Sequence, residues 1–190
     1  MKKVVIFGLL IVCTSMQLNA MEEKKKDALT FTVAQKGEDL SEYREILLKV
    51  YAEYVTDPTL REPLKESLHK PFAVLSNWIG QKGKRFIKTQ DGQTPVGFLT
   101  LEALNEEETQ VAFHQSPLLP QYLNNIPQYF ACVKKEFPHA KVVYTACSDK
   151  VTKMQQLVKK LGFVEDASYQ PSKELIPNPA GFMGYKKSLE

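Results

Sequence analysis

Two residues in neighbouring predicted strands have side chains that could perform acid–base chemistry. His114 lies near the end of a strand predicted over residues 109–115, and Glu102 lies at the end of the strand before it. Because imidazoles titrate near neutral pH, His114 could take a proton from an ammonium group, directly or through water. Glu102 is the second candidate base. The alternative for both is structural, since a single histidine on a strand can be a hydrogen-bonded polar residue and a glutamate at a strand end is commonly solvated.

Two polar residues follow the strand predicted over residues 142–146. Ser148 and Asp149 could bind a substrate there. The same residue types also favour the position before a helix, where their side chains accept hydrogen bonds from free backbone amides. Both interpretations are open.

The histidines and cysteines do not form a metal-binding pattern. His69, His114 and His139 are far apart in sequence, and no cysteine and histidine have the spacing of metal ligands. No metal site is predicted. Cys132 and Cys147 could form one disulfide, or both could be ordinary buried core residues.

Composition and charge limit the class of protein. The 190 residues are 43% apolar and 25% charged, which is the balance of one soluble globular domain. The net charge is only +3, and the lysines are spread over several segments. Because a nucleic-acid-binding surface concentrates its positive charge, nucleic acid is excluded as a partner.

The first 28 residues differ from the rest. Lys2 and Lys3 precede an apolar run over residues 4–12, and a more polar segment ends at Ala20. This pattern resembles a signal peptide over residues 1–20, followed by a charged leader over residues 21–28. We therefore expect a periplasmic or secreted protein.

The apolar run of the signal peptide is about half as long as a membrane-spanning helix. No permanent membrane span is predicted. The alternative to export is that translation starts at Met21, which would leave a cytoplasmic protein.

The residues that could act must be positioned by a sheet and its helices. Alternating apolar residues and turn signals predict strands over residues 29–34, 84–89, 95–103, 109–115, 142–146, 163–169 and 182–186. Helical spacing of apolar residues predicts helices over about residues 41–55, 64–79, 126–137 and 151–161. Asp91-Gly92 predicts a tight hairpin between the second and third strands. Antiparallel strands followed by a strand–helix–strand crossover predict a mixed α/β sheet.

The end of the last predicted helix carries the most specific motif. Lys159-Lys160-Leu161-Gly162-Phe163 resembles the "EKLGF" ending of a conserved segment of the GNAT N-acetyltransferases. The order of the predicted elements is similar to the order in that family. The resemblance covers residues 29–190 and implies one domain with the GNAT-like acyl-CoA N-acyltransferase fold. That fold is a mixed sheet of six to seven strands flanked by about four helices.

The resemblance also implies a cofactor, acetyl-CoA, bound between two diverging strands. In this family the loop after the fourth strand contains glycines, and its backbone amides bind the pyrophosphate. The corresponding space here, from Gln115 to Asn125, has no glycine and contains Pro117 and Pro120. Because proline has no N–H donor, we expect acetyl-CoA to bind weakly or not at all.

Four residues around that loop are candidates for cofactor binding. Phe113 and Gln115 end the strand, and Asn124 and Asn125 precede the next helix. The two asparagines could cap this helix, whose first amides would then face an anion.

Two valines replace residues that have roles in many relatives. Val151 stands where many relatives have an asparagine that contacts the cofactor, and Val158 stands where they have a tyrosine proposed as the general acid. Both valines are interpreted as core residues.

Two functions follow from these patterns. One is transfer of an acetyl group from acetyl-CoA to an amine on a small molecule or peptide. The other is a catalytically inactive, exported GNAT-like protein that binds a ligand or partner. The acceptor and the oligomeric state are not readable from the sequence.

Overall fold

The computed structural model of the protein describes residues 29–52, 71–148, 152–176 and 180–190. Its strands are β1 (Thr30–Val33), β2 (Lys84–Asp91), β3 (Thr94–Ala103), β4 (Gln110–Gln115), β5 (Val142–Ser148), β6 (Val164–Glu165) and β7 (Phe182–Ser188). Its helices are α1 (Ser41–Ala52), α2 (described over residues 71–77), α3 (Ile126–Glu136) and α4 (Thr152–Lys160). The predicted signal peptide and leader lie outside the described residues, as do Asp149, Val151 and the parts of the first two predicted helices within residues 53–70.

The seven strands form one mixed sheet in the order β1-β2-β3-β4-β5-β7-β6. β4 and β5 are parallel, and every other neighbouring pair is antiparallel. The parallel pair is joined by α3, which gives the crossover connection that such a pair requires. The predicted mixed sheet with about four flanking helices is confirmed.

The hairpin between β2 and β3 has a two-residue turn. Asp91 pairs with Thr94, so that Gly92 and Gln93 alone form the turn, and Gly92 has a φ of 60°. A glycine with positive φ at the first turn position fits the right-handed twist of the flanking strands. The hairpin predicted from Asp91-Gly92 is confirmed.

Helices cover both faces of the sheet. On the first face, Tyr43 of α1 and Phe72 of α2 make edge contacts with Phe86, which stacks on Phe98 at 4.8 Å. On the second face, α3 packs Tyr129 near Thr89. Because successive side chains of a strand alternate between faces, Phe86 and Thr89 point in opposite directions. The apolar core is thus divided by the sheet.

The C-terminal end of α4 has the predicted glycine cap. Gly162 has a φ of 83°, its N–H donates to the carbonyl of Lys159 at 2.9 Å, and the N–H of Phe163 donates to the carbonyl of Val158 at 3.2 Å. These two bonds define a Schellman motif. Val158 is fully buried, as predicted for a core residue.

The sixth strand is shorter than predicted. We expected it over residues 163–169, but β6 contains only Val164 and Glu165. The Asp166 carboxylate accepts hydrogen bonds from the N–H and hydroxyl of Ser168, which stabilises a turn in place of a longer strand. This turn lies directly on β7, because a Cβ at Gly184 would be 2.5 Å from the carbonyl oxygen of Asp166.

The cysteines are core residues. Cys132 on α3 and Cys147 on β5 are both free and buried. Burial raises the pKa of each thiol to about 11. The disulfide alternative is therefore not realised.

None of the helices in the described parts of the chain has the length and apolar character needed to cross a membrane.

Candidate functional site

The parallel strands β4 and β5 stop pairing before their C-terminal ends. They pair at three positions only, from Gln110 opposite Val142 to Ala112 opposite Tyr144. Beyond these positions the Thr145 hydroxyl donates to the carbonyl of Phe113 at 3.4 Å. We call the space between residues 113–115 of β4 and residues 145–148 of β5 the splay.

His114 is the extra residue of a β-bulge. Phe113 pairs with Leu101 and Gln115 pairs with Thr100, so His114 has no residue opposite it on β3. Bulges redirect side chains and are frequent beside functional sites. Here the bulge accompanies a contact between the His114 imidazole and the carboxylate of Glu102.

The two predicted acid–base residues are in contact. His114 Nε2 lies 2.8 Å from Glu102 Oε2. The His114 side chain is only 4% exposed, whereas that of Glu102 is 21% exposed. A molecule arriving from solvent therefore meets Glu102 first, and His114 lies behind it.

Three further side chains complete this site. Trp78 meets the His114 ring edge-on at 5.0 Å, and Lys84 Nζ lies 4.3 Å from the centre of the Trp78 ring. Lys84 also lies 3.5 Å from Glu102 and 3.6 Å from Glu174. We call these five residues the His114 cluster. Sequence reasoning missed the last three, because nothing in their local patterns distinguishes them from core or surface residues.

Opposing effects set the pKa of Glu102. Burial raises it, but hydrogen bonding and charge from His114 and Lys84 together outweigh burial and hold the pKa of this carboxyl below its usual value. Glu102 is therefore a carboxylate at neutral pH. It is better suited to holding a cation than to removing a proton by itself.

The segment after β4 continues to pair with β3. We call residues 116–125 the β4–α3 loop. Leu118 forms a β-bridge with Gly97 and is 1% exposed. The N–H of Phe98 donates to Pro117 at 3.0 Å, and the N–H of Leu119 donates to Val96 at 2.9 Å. The loop thus uses part of its backbone to extend the sheet.

Gly97 makes this pairing possible. A Cβ at this position would lie 2.5 Å from the Pro117 carbonyl oxygen and 2.8 Å from a methyl group of Leu118. Any other residue would collide with the loop. The sequence signal was a glycine inside a predicted strand, which often marks a close backbone approach.

The loop ends in a 3₁₀ turn, Pro120–Asn125, that leads into α3. Asn125 occupies the N-cap position of α3 with φ −92° and ψ 0°, and its side chain makes no capping hydrogen bond. Asn124 is exposed. The predicted side-chain capping is therefore wrong for Asn125, which is buried at the N-cap position without a capping bond. The roles of Asn124 and Asn125 in cofactor binding stay predictions.

The remaining candidate cofactor residues lie at the end of β4. The Phe113 ring is 5% exposed and stacks on Phe130 at 5.8 Å, so it belongs to the core. Gln115 pairs through its backbone with Thr100, and its side chain lies outside the described part. Their roles in cofactor binding stay predictions.

Solved structures share this architecture. The chain is similar to an acetyltransferase from Streptococcus agalactiae, with a TM-score of 0.57 and 11% identity over 85% of this chain and 98% of that one. An acetyltransferase of the GNAT family from Staphylococcus aureus gives a TM-score of 0.53 and 16% identity over 86% and 100% of the two chains. The chain has the GNAT fold.

A third GNAT-fold relative has a named substrate. It is a chimera of the spermidine N-acetyltransferase SpeG from Vibrio cholerae and hSSAT, with a TM-score of 0.55 and 18% identity over 84% of this chain and 95% of that one. No protein-family model matches the sequence, and no curated protein matches it by sequence comparison.

Only part of this GNAT-fold site fits acetyl-CoA. The backbones of β4 and β5 do not pair with each other along the splay, which leaves strand backbone available there. The β4–α3 loop does not fit a pyrophosphate, because it lacks glycine, two of its residues are prolines, and the Leu119 amide is already bonded to β3. Within the described residues, no group of three or more His, Cys, Asp or Glu side chains could hold a metal ion.

Proposed function

We propose that the chain is an N-acetyltransferase that transfers the acetyl group of acetyl-CoA to an amine. The observation that supports this most is the position of the bulged His114, which lies in the splayed part of β4 and contacts an ionised Glu102. A base and a cation-binding carboxylate are what an ammonium acceptor needs before it can act as a nucleophile.

Glu102 and His114 have different roles in this proposal. Glu102, the more exposed of the two, accepts a hydrogen bond from the acceptor ammonium and orients it. Because His114 Nε2–H donates to this carboxylate, the proton passes through water to Nδ1, the ring nitrogen that carries no hydrogen. Lys84 balances the carboxylate, and Trp78 fixes the imidazole ring. When bound, acetyl-CoA supplies the thioester that the neutral amine attacks.

The acceptor in this proposal is a cationic amine. The carboxylates of Glu102 and Glu174 both lie within 3.6 Å of Lys84 Nζ, so two negative charges face one positive charge and the group favours a further cation. Spermidine is a suitable first test compound, because one structural neighbour is a spermidine N-acetyltransferase.

Mutation of the pair tests this function. Glu102→Gln and His114→Ala should each lower kcat/KM for spermidine by about 100-fold, the usual contribution of a positioned base. Glu106→Gln, an exposed neighbour, is the matched control. Activity of both variants equal to that of the native chain would exclude the pair.

Donor affinity is the second test. The loss of two amide–phosphate bonds, each worth roughly 1.5 to 3 kcal/mol, should move the Kd of acetyl-CoA from micromolar towards about millimolar. Calorimetric titration with acetyl-CoA should therefore give nearly the same affinity as with dephosphorylated pantetheine. A low-micromolar Kd that strongly favours acetyl-CoA would contradict this and would mean that the β4–α3 loop rearranges to bind pyrophosphate.

The pairing of the β4–α3 loop with β3 favours a second candidate, a catalytically inactive, exported GNAT-like binding protein. Acetyl-CoA is a cytoplasmic metabolite, so an exported chain would lack its donor. If residues 1–20 are a signal peptide, N-terminal sequencing of the protein recovered from outside the cytoplasm should find Met21 as the first residue. Intact Met1, or a cytoplasmic product that begins at Met21, would contradict export. Any turnover of acetyl-CoA would contradict the inactive alternative.

A further inference from the structure

A second possible binding site lies away from the splay. An open cavity of about 470 Å³ separates the β1–α1 connection from α2. It is lined by residues 36–41 and Arg44 on one side and by Phe72, Ser76, Asn77 and Ile79 on the other. Its volume is within the range of small-molecule sites.

The charged residues of this cavity are of both signs, and one of the acids is already neutralised. Glu38 forms an ion pair with Lys88, and its other carboxylate oxygen accepts from the N–H of Gln35 at 2.9 Å. Lys88 does not line the cavity. The charges that remain for a ligand belong to Lys36, Asp39 and Arg44.

Asp39 is an available carboxylate. It accepts hydrogen bonds from the N–H of Ser41 at 2.9 Å and from the Ser41 hydroxyl at 3.1 Å, and these bonds lower its pKa. It is therefore ionised at neutral pH, and no lysine or arginine of the described residues forms an ion pair with it. Its remaining lone pairs can accept from an ammonium group.

Lys36 and Arg44 supply the opposite charge. Lys36 is exposed and forms no ion pair within the described residues. The guanidinium of Arg44 is partly exposed and contacts Glu45 at 3.3 Å, which leaves other N–H donors for a ligand carboxylate. The floor between these charges is apolar and consists of Leu40, Phe72 and Ile79.

We infer that this cavity binds a small zwitterion with an apolar side chain, such as a free amino acid. A simple anion would be repelled by Asp39, and a simple cation by Lys36 and Arg44. A ligand with both charges matches each, and its side chain covers the apolar floor. Asn77 and Ile79 adjoin Trp78, so the cavity and the His114 cluster lie on either side of the C-terminal turn of α2.

Leucine and two blocked analogues test the inference. N-acetylleucine lacks the ammonium, and leucinamide lacks the carboxylate. In amide NMR titrations of the full chain, leucine should shift the signals of Gly37, Ser41 and Asn77, and it should bind at least about fivefold more tightly than either analogue. Equal binding of the three compounds, or no shifts up to about 10 mM leucine, would overturn the inference.

Variants assign each charge to its partner. Asp39→Asn keeps an acceptor for Ser41 and should weaken leucine binding about fivefold, whereas N-acetylleucine should bind no more weakly than before, because the repulsion of its carboxylate is removed. Lys36→Gln should weaken the binding of leucine but not the binding of leucinamide. Lys49→Gln, an exposed change on α1 outside the cavity, is the control and should alter neither. Loss of leucine binding in the control, or unchanged leucine binding in both cavity variants, would overturn the assignment.

Discussion

Two segments of the chain, the end of α4 and the β4–α3 loop, differ in how closely they match the family pattern that the sequence resembles. The end of α4, from Leu161 to Phe163, keeps both the motif and its geometry, including the left-handed Gly162. The β4–α3 loop contains no glycine, although the resemblance predicts glycines there, and it pairs with β3 through Leu118. The motif at the end of α4 caps a helix and stabilises the fold. In the family that the sequence resembles, the loop after the fourth strand binds the cofactor. The comparison predicts that the fold is kept while the backbone of the expected ligand-binding loop is changed.

Gly97→Ala should have the largest effect on this comparison. The new Cβ would lie 2.5 Å from the Pro117 carbonyl, and neither strand nor loop backbone can move freely. We expect the free energy of unfolding to fall by about 2 to 3 kcal/mol. Urea unfolding measures it. Thr94→Ala, at an exposed position of the same strand, is the control and should change stability by less than about 0.5 kcal/mol.

A stable Gly97→Ala protein would break the comparison. It would mean that the loop is easily displaced and that its pairing with β3 does not determine its conformation. The same protein should then be retested with acetyl-CoA.

Gly162→Val should have the next largest effect. A β-branched residue is strained at a φ of 83°, and the cost should be on the order of 1 to 3 kcal/mol. Thermal melts measure the change. Gly162→Asn should lose less, because asparagine tolerates the left-handed conformation. Equal melting temperatures for the valine variant and the native chain would mean that the glycine cap does not stabilise the fold.

Thiol labelling should detect a smaller difference between the two regions. Cys132 lies on α3, the helix that follows the β4–α3 loop, and is 5% exposed, whereas Cys147 lies on β5 and is fully buried. Burial raises the pKa of both thiols to about 11, so both should react slowly at pH 8. We expect Cys132 to react first, because it is slightly exposed on a helix, whereas Cys147 is fully buried in a strand of the sheet and needs a larger opening to react. Mass spectrometry after timed labelling with iodoacetamide measures the order, and faster labelling of Cys147 would reverse the comparison.

The predictable parts of the molecule are those governed by local rules. The hairpin was predicted correctly from Asp91-Gly92, and the end of α4 was predicted correctly from Gly162. Both predictions succeed because turn geometry depends on a few adjacent residues. The β6 boundary was wrong because Asp166 and Ser168 form a side-chain turn that competes with the strand. Hydrophobic alternation does not register such competition.

The site was only partly predictable for a different reason. His114 and Glu102 were identified by residue type, but their contact depends on a bulge that no local pattern shows. Trp78 and Lys84 join them from distant segments, so only the tertiary fold places them together. Gly97 was overlooked because the family resemblance predicts glycines in the β4–α3 loop. In the structure the glycine that allows close backbone contact is on the facing strand, β3.

The shortness of β6 also affects how the protein behaves in crowded solution. β6 is an outer strand of the sheet, and an outer strand offers unpaired amides and carbonyls to the strands of other molecules. With two residues before the Asp166 turn, this edge offers almost no template for intermolecular β-pairing. Glu165 and the nearby Lys159 add charge at the same place. We therefore expect this end of the sheet to resist aggregation although the side chain of Val164 is exposed.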